Sequence, residues 1–415
     1  MSRDEIITGI DVGSRSVRVV VGQRIPEREK GSALQVIGVS ECPSEGISKG
    51  VIKSIEDAVS SISLCLEKAE RMAGVPIEHS YISISGAHVI SQTSKGVIAV
   101  SKADGEIHEE DVDRVIEAAQ AVATPPNYEI LHVIPKFFTI DSQSGIKDPI
   151  GMTGVRLEVE AQIILGLSSQ IKNLTKAIYR TGVDIDDLVL GSLAGSESVL
   201  TKRQKELGVG LLNMGGATTA LVVFEEGEVL HSAVLAVGSD HITADIAIGL
   251  RTSFDVAEQI KILYGCALPE EIDKDEKISL KEFTQEDVNY SRRQIASIIE
   301  ARLEEIYEMV DRELRKINRS GLLPAGIVLS GGGAKLKGSL EVAKRKFRLP
   351  ATIGYPELAT SIEKLNDPAY AVAVGLVLWG NRVADSSGGG KSTFRFSAVE
   401  GVKEKIKDWI RSLIP

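Results

Sequence analysis

Two stretches decide the fold: GIDVGSRSVRVVVG at residues 9–22 and GVGLLNMGGATTALVVFEEG at residues 208–227. In each, aliphatic and β-branched residues flank a short run of glycine and small polar residues, which is the pattern of a β-hairpin. The two stretches are similar to one another and lie roughly half a chain apart. This repetition predicts an internal duplication.

The turns of these hairpins carry residue types that bind phosphate. Glycines and small residues let backbone N–H groups converge on one oxygen, and Asp11 at a strand end is suited to hold Mg²⁺ through water. For either turn alone, an ordinary glycine turn is an equally good interpretation. The candidate phosphate-binding residues are Asp11, Gly13, Ser14, Arg15, Ser16 and Arg18 in the first hairpin, and Asn213, Gly215, Gly216, Ala217 and Thr218 in the second.

A third element supports the phosphate-binding interpretation. The sequence GIVLSGGG at residues 326–333 is a buried strand that ends in three glycines, followed by a lysine. Backbone without side chains can lie flat against a nucleotide, and three such signals in this order rarely coincide by chance. The additional candidate residues are Gly331, Gly332, Gly333 and Lys335.

This order of two hairpins and a glycine-rich strand end is similar to that of the actin-like ATPase superfamily. Within it, the chain resembles the FtsA family of bacterial cell-division proteins over almost its whole length, and GMTGVRLEV at residues 151–159 is the most family-specific string. The resemblance implies an α/β fold with two duplicated, ribonuclease-H-like lobes, an inserted small α+β subdomain and a C-terminal amphipathic helix.

The expected domains follow from this resemblance and from the pattern of apolar residues. Residues 1–85 and 167–200 form the core of the first lobe, and residues 86–166 form the insertion. The second lobe has a core at 201–230 and 306–360 and an outer subdomain at 231–305. A closing helix at 361–383, a flexible Gly/Ser linker at 384–393 and an amphipathic helix at 394–415 complete the chain.

The resemblance also implies the ligands. It predicts ATP with Mg²⁺, and it nominates Gly238, Glu258 and Lys261 as contacts to the adenosine; a solvated helix face is the alternative for the two charged residues. Asn213 departs from the superfamily, which has an aspartate there. Loss of that carboxylate weakens metal-assisted phosphoryl transfer, so we expect at most a slow ATPase, with no catalytic residue assigned.

Three further residues are nominated as a protein-binding site. In the FtsA family, the helix that includes IIEARLEEI at residues 298–306 lies near the groove for the acidic C-terminal peptide of the division protein FtsZ. The resemblance therefore points to Arg293, Ile299 and Arg302, because arginine pairs well with carboxylates. Simple solvation of the helix is the alternative for the two arginines. The resemblance further implies self-association into filaments and contacts between the 86–166 insertion and later division proteins.

The pattern of the last 22 residues predicts an amphipathic helix beyond the linker. Its apolar face includes Val402, Ile406, Trp409, Ile410 and Leu413, and lysines lie at the borders of that face. From Ser397 onward, four basic and three acidic side chains give a net charge of +1. A membrane surface is the favoured partner, and a groove on another protein or on this chain's own lobe is the alternative.

Composition and the N-terminal sequence argue against some classes of function. The chain has a net charge of −10 and no basic domain, which argues against nucleic acid as a partner. An N-terminus without an apolar segment predicts no secretory signal. The resemblance to the FtsA family implies a peripheral protein on the cytoplasmic face of the cell membrane at the division septum. Two other actin-fold proteins remain as alternatives: a pilus-assembly adaptor, and a small-molecule kinase, which would need a carboxylate base that we do not find.

Overall fold

The structure is a computed structural model that describes residues 6–27, 31–101, 104–121, 124–279, 281, 283, 288–358 and 362–387. The strands are β1 (Ile6–Val12), β2 (Ser16–Glu27), β3 (Gly31–Pro43), β4 (Ile47–Ser48), β5 (Val51–Ile52), β6 (His79–Ile84), β7 (Val89–Ala99), β8 (Tyr128–Ile140), β9 (Gln143–Ile146), β10 (Arg156–Leu167), β11 (Asp184–Leu190), β12 (Val209–Met214), β13 (Thr219–Glu225), β14 (Glu228–Leu235), β15 (Lys277–Ser279), β16 (Asn289–Ser291), β17 (Ile327–Ser330) and β18 (Ala351–Ile353). The α-helices are α1 (Ile55–Ala73), α2 (Glu109–Gln120), α3 (Ser168–Tyr179), α4 (Gly191–Val199), α5 (Lys202–Leu207), α6 (Ser239–Leu250), α7 (Phe254–Tyr264), α8 (Arg292–Lys316), α9 (Ser339–Phe347) and α10 (Ala371–Ser387).

The two lobes repeat one sheet topology. The first lobe has the strand order β11-β6-β1-β2-β3, and the second has β18-β17-β12-β13-β14. In each sheet the central strand forms an antiparallel hairpin with the next strand in sequence and pairs in parallel with a later strand on its other side. This correspondence confirms the predicted duplication.

Local sequence signals fix several helices at the predicted residues. The Ser54 side chain accepts a hydrogen bond from the Asp57 N–H, and Gly74 ends α1 in the left-handed conformation, as N-cap serines and C-terminal glycines commonly do. The sequence pattern predicts a helix from Phe254 to Tyr264, and α7 has these bounds. In these helices local capping and apolar spacing agree with the tertiary fold.

The insertion is a four-stranded sheet, β7-β10-β8-β9, with α2 packed on it. We expected separate strands at residues 129–134 and 137–140, but β8 is one continuous strand. Pro135 lies opposite Ala161, where the register of β8 against β10 shifts. The bulge accommodates a residue that has no N–H to donate, so the proline does not end the strand.

The outer part of the second lobe differs from the predicted boundaries. We expected a helix over residues 285–319, but α8 starts at Arg292 because residues 289–291 pair with β15 as the strand β16. Residues 285–287 lie outside the described residues. Strand β14 extends the core sheet to Leu235, into the stretch predicted as the outer subdomain, and α8 crosses the predicted boundary at residue 305 without a break.

Two helices join the lobes. Helix α4 packs closely on α10, and a Cβ on Gly375 of α10 would collide with the carbonyl of Ala194 in α4. One hydrophobic core cluster contains residues from both sheets as well as from these two helices. Helix α10 continues to Ser387, so the linker predicted from Ala384 overlaps its last turn.

Candidate functional site

The first turn, residues 13–16, and the second turn, residues 215–218, close in the same way. The Gly13 N–H donates to the Ser16 carbonyl at 3.2 Å, and the Gly215 N–H donates to the Thr218 carbonyl at 2.9 Å. Ser14 in the first turn accepts a hydrogen bond from the Gly50 N–H at 3.0 Å through its Oγ. Ala217 in the second turn is buried. The duplication therefore extends to the backbone of the predicted phosphate-binding turns.

The residues at the two strand ends have different surroundings. Asp11 is buried and accepts a 2.7 Å hydrogen bond from the Ser83 hydroxyl. Burial raises the pKa of Asp11, and the charge of Arg18 and the Ser83 hydrogen bond oppose that shift. Asn213 lies beside Gly331, where a Cβ would collide with the Asn213 Oδ1. A carboxylate is thus available on the first-lobe side, and an amide stands opposite.

Arg15 of the first turn connects the two lobes. Its Nε lies 2.7 Å from the Asp240 Oδ1, and its Nη2 lies 3.7 Å from the Glu258 Oε2. The guanidinium carbon lies 4.7 Å from the centroid of the Phe254 ring. A Cβ on Gly216 would be 2.6 Å from the Arg15 Cγ. The Arg15 side chain therefore runs along the second turn, and we name Arg15, Asp240, Phe254 and Glu258 the Arg15 cluster.

Helices α6 and α7 contribute the predicted adenosine contacts. The Glu258 carboxylate accepts from the Lys261 Nζ at 2.8 Å and from the Thr243 hydroxyl at 2.5 Å. Burial raises the pKa of Glu258, but hydrogen bonds and charge from Lys261, with Thr243 and Arg15, outweigh burial and hold it below its ordinary value. Gly238 packs on the second turn, since a Cβ there would be 2.5 Å from the Gly216 carbonyl.

The glycine element, residues 331–333, lies against the second hairpin. Gly331 has a φ of 81°, in the left-handed region, and its N–H donates to the Pro368 carbonyl at 2.9 Å. Gly333 packs on Met214, whereas a Cβ on Gly332 would meet no atom within 4 Å. Lys335 reaches Asp367 at 2.6 Å. The glycine element leaves open space at its middle residue, which suits the approach of a flat ligand.

Arg18 points toward the segment that leads into α10. Its Nη2 lies 2.7 Å from the Glu41 Oε1, and its guanidinium carbon lies 5.5 Å from the centroid of the Tyr370 ring. Its Nε is buried and has no hydrogen-bond partner. Ser16 is also buried, at the start of β2. An unpaired buried donor beside a glycine turn fits an anionic group such as a phosphate.

Contacts of Arg15 link the predicted nucleotide residues of the first turn, the second turn and α7 to one another. The sequence did not single out four of their partners: Ser83, Asp240, Thr243 and Phe254. Asp240 stands in the first turn of α6, where an acidic residue is ordinary, so its pairing with the other lobe left no sequence signal. Within the described residues, no group of three or more His, Cys, Asp or Glu side chains is arranged to hold a metal ion.

The three residues nominated for the FtsZ peptide do not form one surface. Ile299 is fully buried in the core of the second lobe, so its expected contact with a peptide is wrong. Arg293 and Arg302 are nine residues apart on α8, which is two and a half turns, so they project from opposite sides of the helix. Arg302 forms a bidentate pair with Asp245 of α6, at 2.5 and 3.0 Å.

The predicted membrane face, Val402, Ile406, Trp409, Ile410 and Leu413, lies outside the described residues. In the part of the chain that the structure describes, no helix is long and apolar enough to cross a membrane.

Two family models match parts of this chain. The family model "Cell division protein FtsA" matches residues 210–375, and the model "SHS2 domain inserted in FTSA" matches residues 86–165. The Cell division protein FtsA of Pseudomonas aeruginosa is 36% identical over 98% of this chain and 98% of that protein. The protein of the same name from Bacillus subtilis is 37% identical over 94% of this chain and 86% of that protein.

Solved structures share the fold at much lower identity. A PilM–PilN type IV pilus biogenesis complex matches with a TM-score of 0.68 at 17% identity, over 90% of this chain and 98% of that one. MreB5 of Spiroplasma citri bound to ADP matches with a TM-score of 0.55 at 12% identity, over 93% of this chain and 99% of that one. These likenesses confirm the actin-like fold, and the match to the SHS2 family model confirms the inserted subdomain.

Proposed function

This chain belongs to the FtsA family of cell division proteins, and from that premise we propose that it binds ATP with Mg²⁺, polymerises on the cytoplasmic face of the cell membrane at the division septum, and anchors FtsZ filaments there. The observation that carries the proposal is the meeting of the first and second turns, which close with the same hydrogen bond and touch through Arg15. Two such turns can hold a polyphosphate from both lobes.

ATP serves this protein mainly as a structural ligand. Asp11 supplies a carboxylate near the first turn, and the second strand end supplies only the Asn213 amide. With one carboxylate fewer around the metal, charge on the transferring phosphate is less well stabilised. Bound ATP therefore persists long enough to hold the lobes in the arrangement that stacks subunits.

We propose that the FtsZ tail binds the surface between α6 and α8 on the Arg302 side. Ile248 there is 76% exposed, and the next residue, Gly249, packs on Ile298. Apolar side chains beside Arg302 suit an acidic peptide with apolar residues, which would compete with Asp245 for the guanidinium. This assignment keeps Arg302 of the three residues nominated from sequence and leaves out Arg293 and Ile299.

The opposite sides of α8 provide a matched test. Anisotropy titrations with a labelled peptide of the FtsZ C-terminal sequence compare Arg302→Glu with Arg293→Glu, which makes the same charge change on the other side. We expect Arg302→Glu to weaken binding by about tenfold or more and Arg293→Glu to leave it unchanged. Loss of binding in Arg293→Glu alone would place the tail elsewhere.

Contacts with later division proteins belong to the insertion in this proposal. Ile150 and Val155 are 50% and 77% exposed on a loop whose backbone is held by hydrogen bonds from Gly151 to Ile107 and from Gly154 to Gly105, each 2.9 Å. Exposed apolar residues on a well-held loop favour docking of another protein. Val155→Asp should arrest division while FtsZ still localises; normal division would count against this role.

The anchor in this proposal is the amphipathic segment at residues 394–415. With a net charge of +1 from Ser397 onward, one copy binds anionic lipid only weakly and reversibly. A polymer presents many copies, and after the first contact the others bind from a high effective concentration. Polymerisation driven by ATP would thus convert weak anchors into firm attachment.

Liposome co-sedimentation tests the anchor and its coupling to nucleotide. The full chain is compared with a chain ending at Ser387, which keeps α10 whole, each with ATP, with ADP and without nucleotide. Trp409→Glu disrupts the apolar face, and Glu404→Gln on the polar face is its control. Only the full chain and Glu404→Gln should sediment strongly, and more so with ATP. Equal sedimentation of the shortened chain would exclude a membrane role for this segment.

A pilus-assembly adaptor is the second candidate. Its support is the likeness to the PilM–PilN complex, which at 17% identity extends to the fold and no further. The same anisotropy titration with a peptide from a pilus membrane protein would distinguish the two functions, because only one of the two peptides should bind.

A further inference from the structure

The Arg15 cluster lies at the two turns between which, in the proposed function, the phosphates of ATP bind. Arg15 belongs to the first turn, yet its charged group is bound by Asp240 and Glu258 of the second lobe and lies over Phe254. Its aliphatic part covers Gly216 of the second turn. In this conformation Arg15 occupies the space between the two turns that are suited to a polyphosphate.

The partners of Arg15 are held in place without it. The Asp240 N–H donates to the Gly216 carbonyl at 2.7 Å, and Ser239 donates to the Gly215 carbonyl at 3.0 Å, so the start of α6 is fixed on the second turn. Glu258 retains Lys261 and Thr243 if Arg15 leaves. Among these groups, the Asp240 carboxylate loses most if Arg15 leaves, because in the described residues its only hydrogen-bonded ion pair is with Arg15 and the charge of Lys261 acts on it from farther away.

The ion pairs of Arg15 are weak enough to be exchanged. Its side chain is 41% exposed, and exposed pairs are strongly screened by water. A phosphate group carries more charge than one carboxylate and matches the planar fork of a guanidinium, which makes it the stronger partner.

We propose that Arg15 exchanges partners when nucleotide binds: it joins the lobes through Asp240 and Glu258 in the free chain, and it pairs with the phosphates in the bound chain. Asp240 is then a competitor of the phosphates for Arg15, and the two lobes remain connected in both states. This inference rests on the proposed function, since it concerns nucleotide bound between the two turns.

The exchange predicts effects of opposite sign for the two members of one ion pair. Removing Arg15 removes a phosphate partner, so Arg15→Ala should weaken Mg·ATP binding by about 10- to 100-fold, and Arg15→Lys should fall between. Removing the competitor should tighten binding, by about two- to fivefold for Asp240→Asn. If the pair only stabilised the fold, both substitutions would weaken binding.

Calorimetric titration of the full chain with Mg·ATP measures these affinities. The decisive variant is the double substitution Arg15→Ala with Asp240→Asn, which should bind no more tightly than Arg15→Ala alone. Asp255→Asn, the same charge change in the first turn of α7, is the matched control and should have no effect. Arg15→Lys keeps the comparison open if Arg15→Ala does not fold.

Three results would overturn the exchange: weaker binding in Asp240→Asn, equal tightening in the Arg15→Ala background, or equal tightening in Asp255→Asn. If the unsubstituted chain binds no nucleotide, the proposed function fails, and this inference fails with it. If that chain binds ATP and any of the three results appears, only the exchange is wrong.

Discussion

The first and second turns share a backbone and differ in the residue at the strand end. Each is closed by a hydrogen bond from a glycine N–H to the carbonyl three residues on, yet Asp11 precedes one and Asn213 the other. Asp11 is buried and bonded to Ser83, whereas Asn213 lies against Gly331. The duplicated frame thus keeps a glycine turn on both sides and a strand-end carboxylate on one side only.

The largest expected effect comes from a substitution that disrupts the glycine element beside the second turn. Gly331→Ala places a side chain at a φ of 81° and against the Asn213 amide, so we expect roughly 2–5 kcal/mol of destabilisation and loss of nucleotide binding. Thermal unfolding followed by circular dichroism measures the first effect, and calorimetric titration with Mg·ATP measures the second.

The next residue supplies the control for that substitution. A Cβ on Gly332 would meet no atom within 4 Å, so Gly332→Ala should unfold at the temperature of the unsubstituted chain. Equal destabilisation by both substitutions would show that the contact between Asn213 and Gly331 does not explain the effect.

A smaller effect is expected from a substitution of Asp11, the strand-end carboxylate of the first hairpin. Asp11→Asn makes the first hairpin like the second, and we expect Mg·ATP affinity to fall by about 100-fold as measured by titration with and without Mg²⁺. Unchanged affinity in Mg²⁺ would remove Asp11 from the metal site.

The same substitution should stabilise the nucleotide-free chain. Burial raises the pKa of Asp11 in the folded state, so the neutral form is favoured, and the contribution to stability is lost as pH rises from 3.8 through the folded pKa. At neutral pH Asp11→Asn removes that cost, and its amide can still accept from Ser83. A lower unfolding temperature in the variant would contradict this account.

The sequence predicted those parts of the fold in which local and tertiary preferences agree. The hairpins, the cap of α1 by Ser54 and the bounds of α7 all follow from spacing and end residues. The duplicated turns were also visible, because glycine and small polar residues at a strand end have a direct conformational reason. For the candidate site, these signals predict the turn glycines and Asp11.

Long-range pairing accounts for most of what the sequence missed. Asp240 and Phe254 become partners of Arg15 only because the lobes fold together, and no local pattern contains that information. Ile299 and Arg302 belong to one helical segment in the sequence and were nominated for the same site, but the tertiary contact with α6 decides which side of α8 is buried. The two strands predicted at residues 129–134 and 137–140 are one strand, because the bulge against β10 accommodates Pro135 between them.

The smallest predicted effect concerns His132, a second buried group. Its contribution to folding stability changes with pH in the opposite direction to that of Asp11. His132 in β8 is buried, its Nε2 accepts from the Leu190 N–H at 3.0 Å, and burial lowers its pKa to about 4. The neutral form is favoured, so its contribution is complete above pH 6.5 and is lost as pH falls toward 4.

We therefore expect His132→Gln, which keeps an acceptor for Leu190, to reduce the loss of stability between pH 7 and pH 5 by about 1–2 kcal/mol. Denaturant unfolding at the two pH values measures this difference for the unsubstituted chain, for His132→Gln and for Asp11→Asn. Identical pH dependence in His132→Gln and the unsubstituted chain would exclude the histidine as its source.

The central claim is that the chain binds ATP between two equivalent turns and hydrolyses it slowly because Asn213 replaces a carboxylate. Single-turnover release of γ-phosphate from ATP bound to the full chain, compared with Asn213→Asp, tests it most directly. The account predicts one nucleotide bound per chain, slow release, and release about tenfold faster or more in Asn213→Asp. Fast release from the unsubstituted chain, or an unchanged rate in the variant, would contradict it.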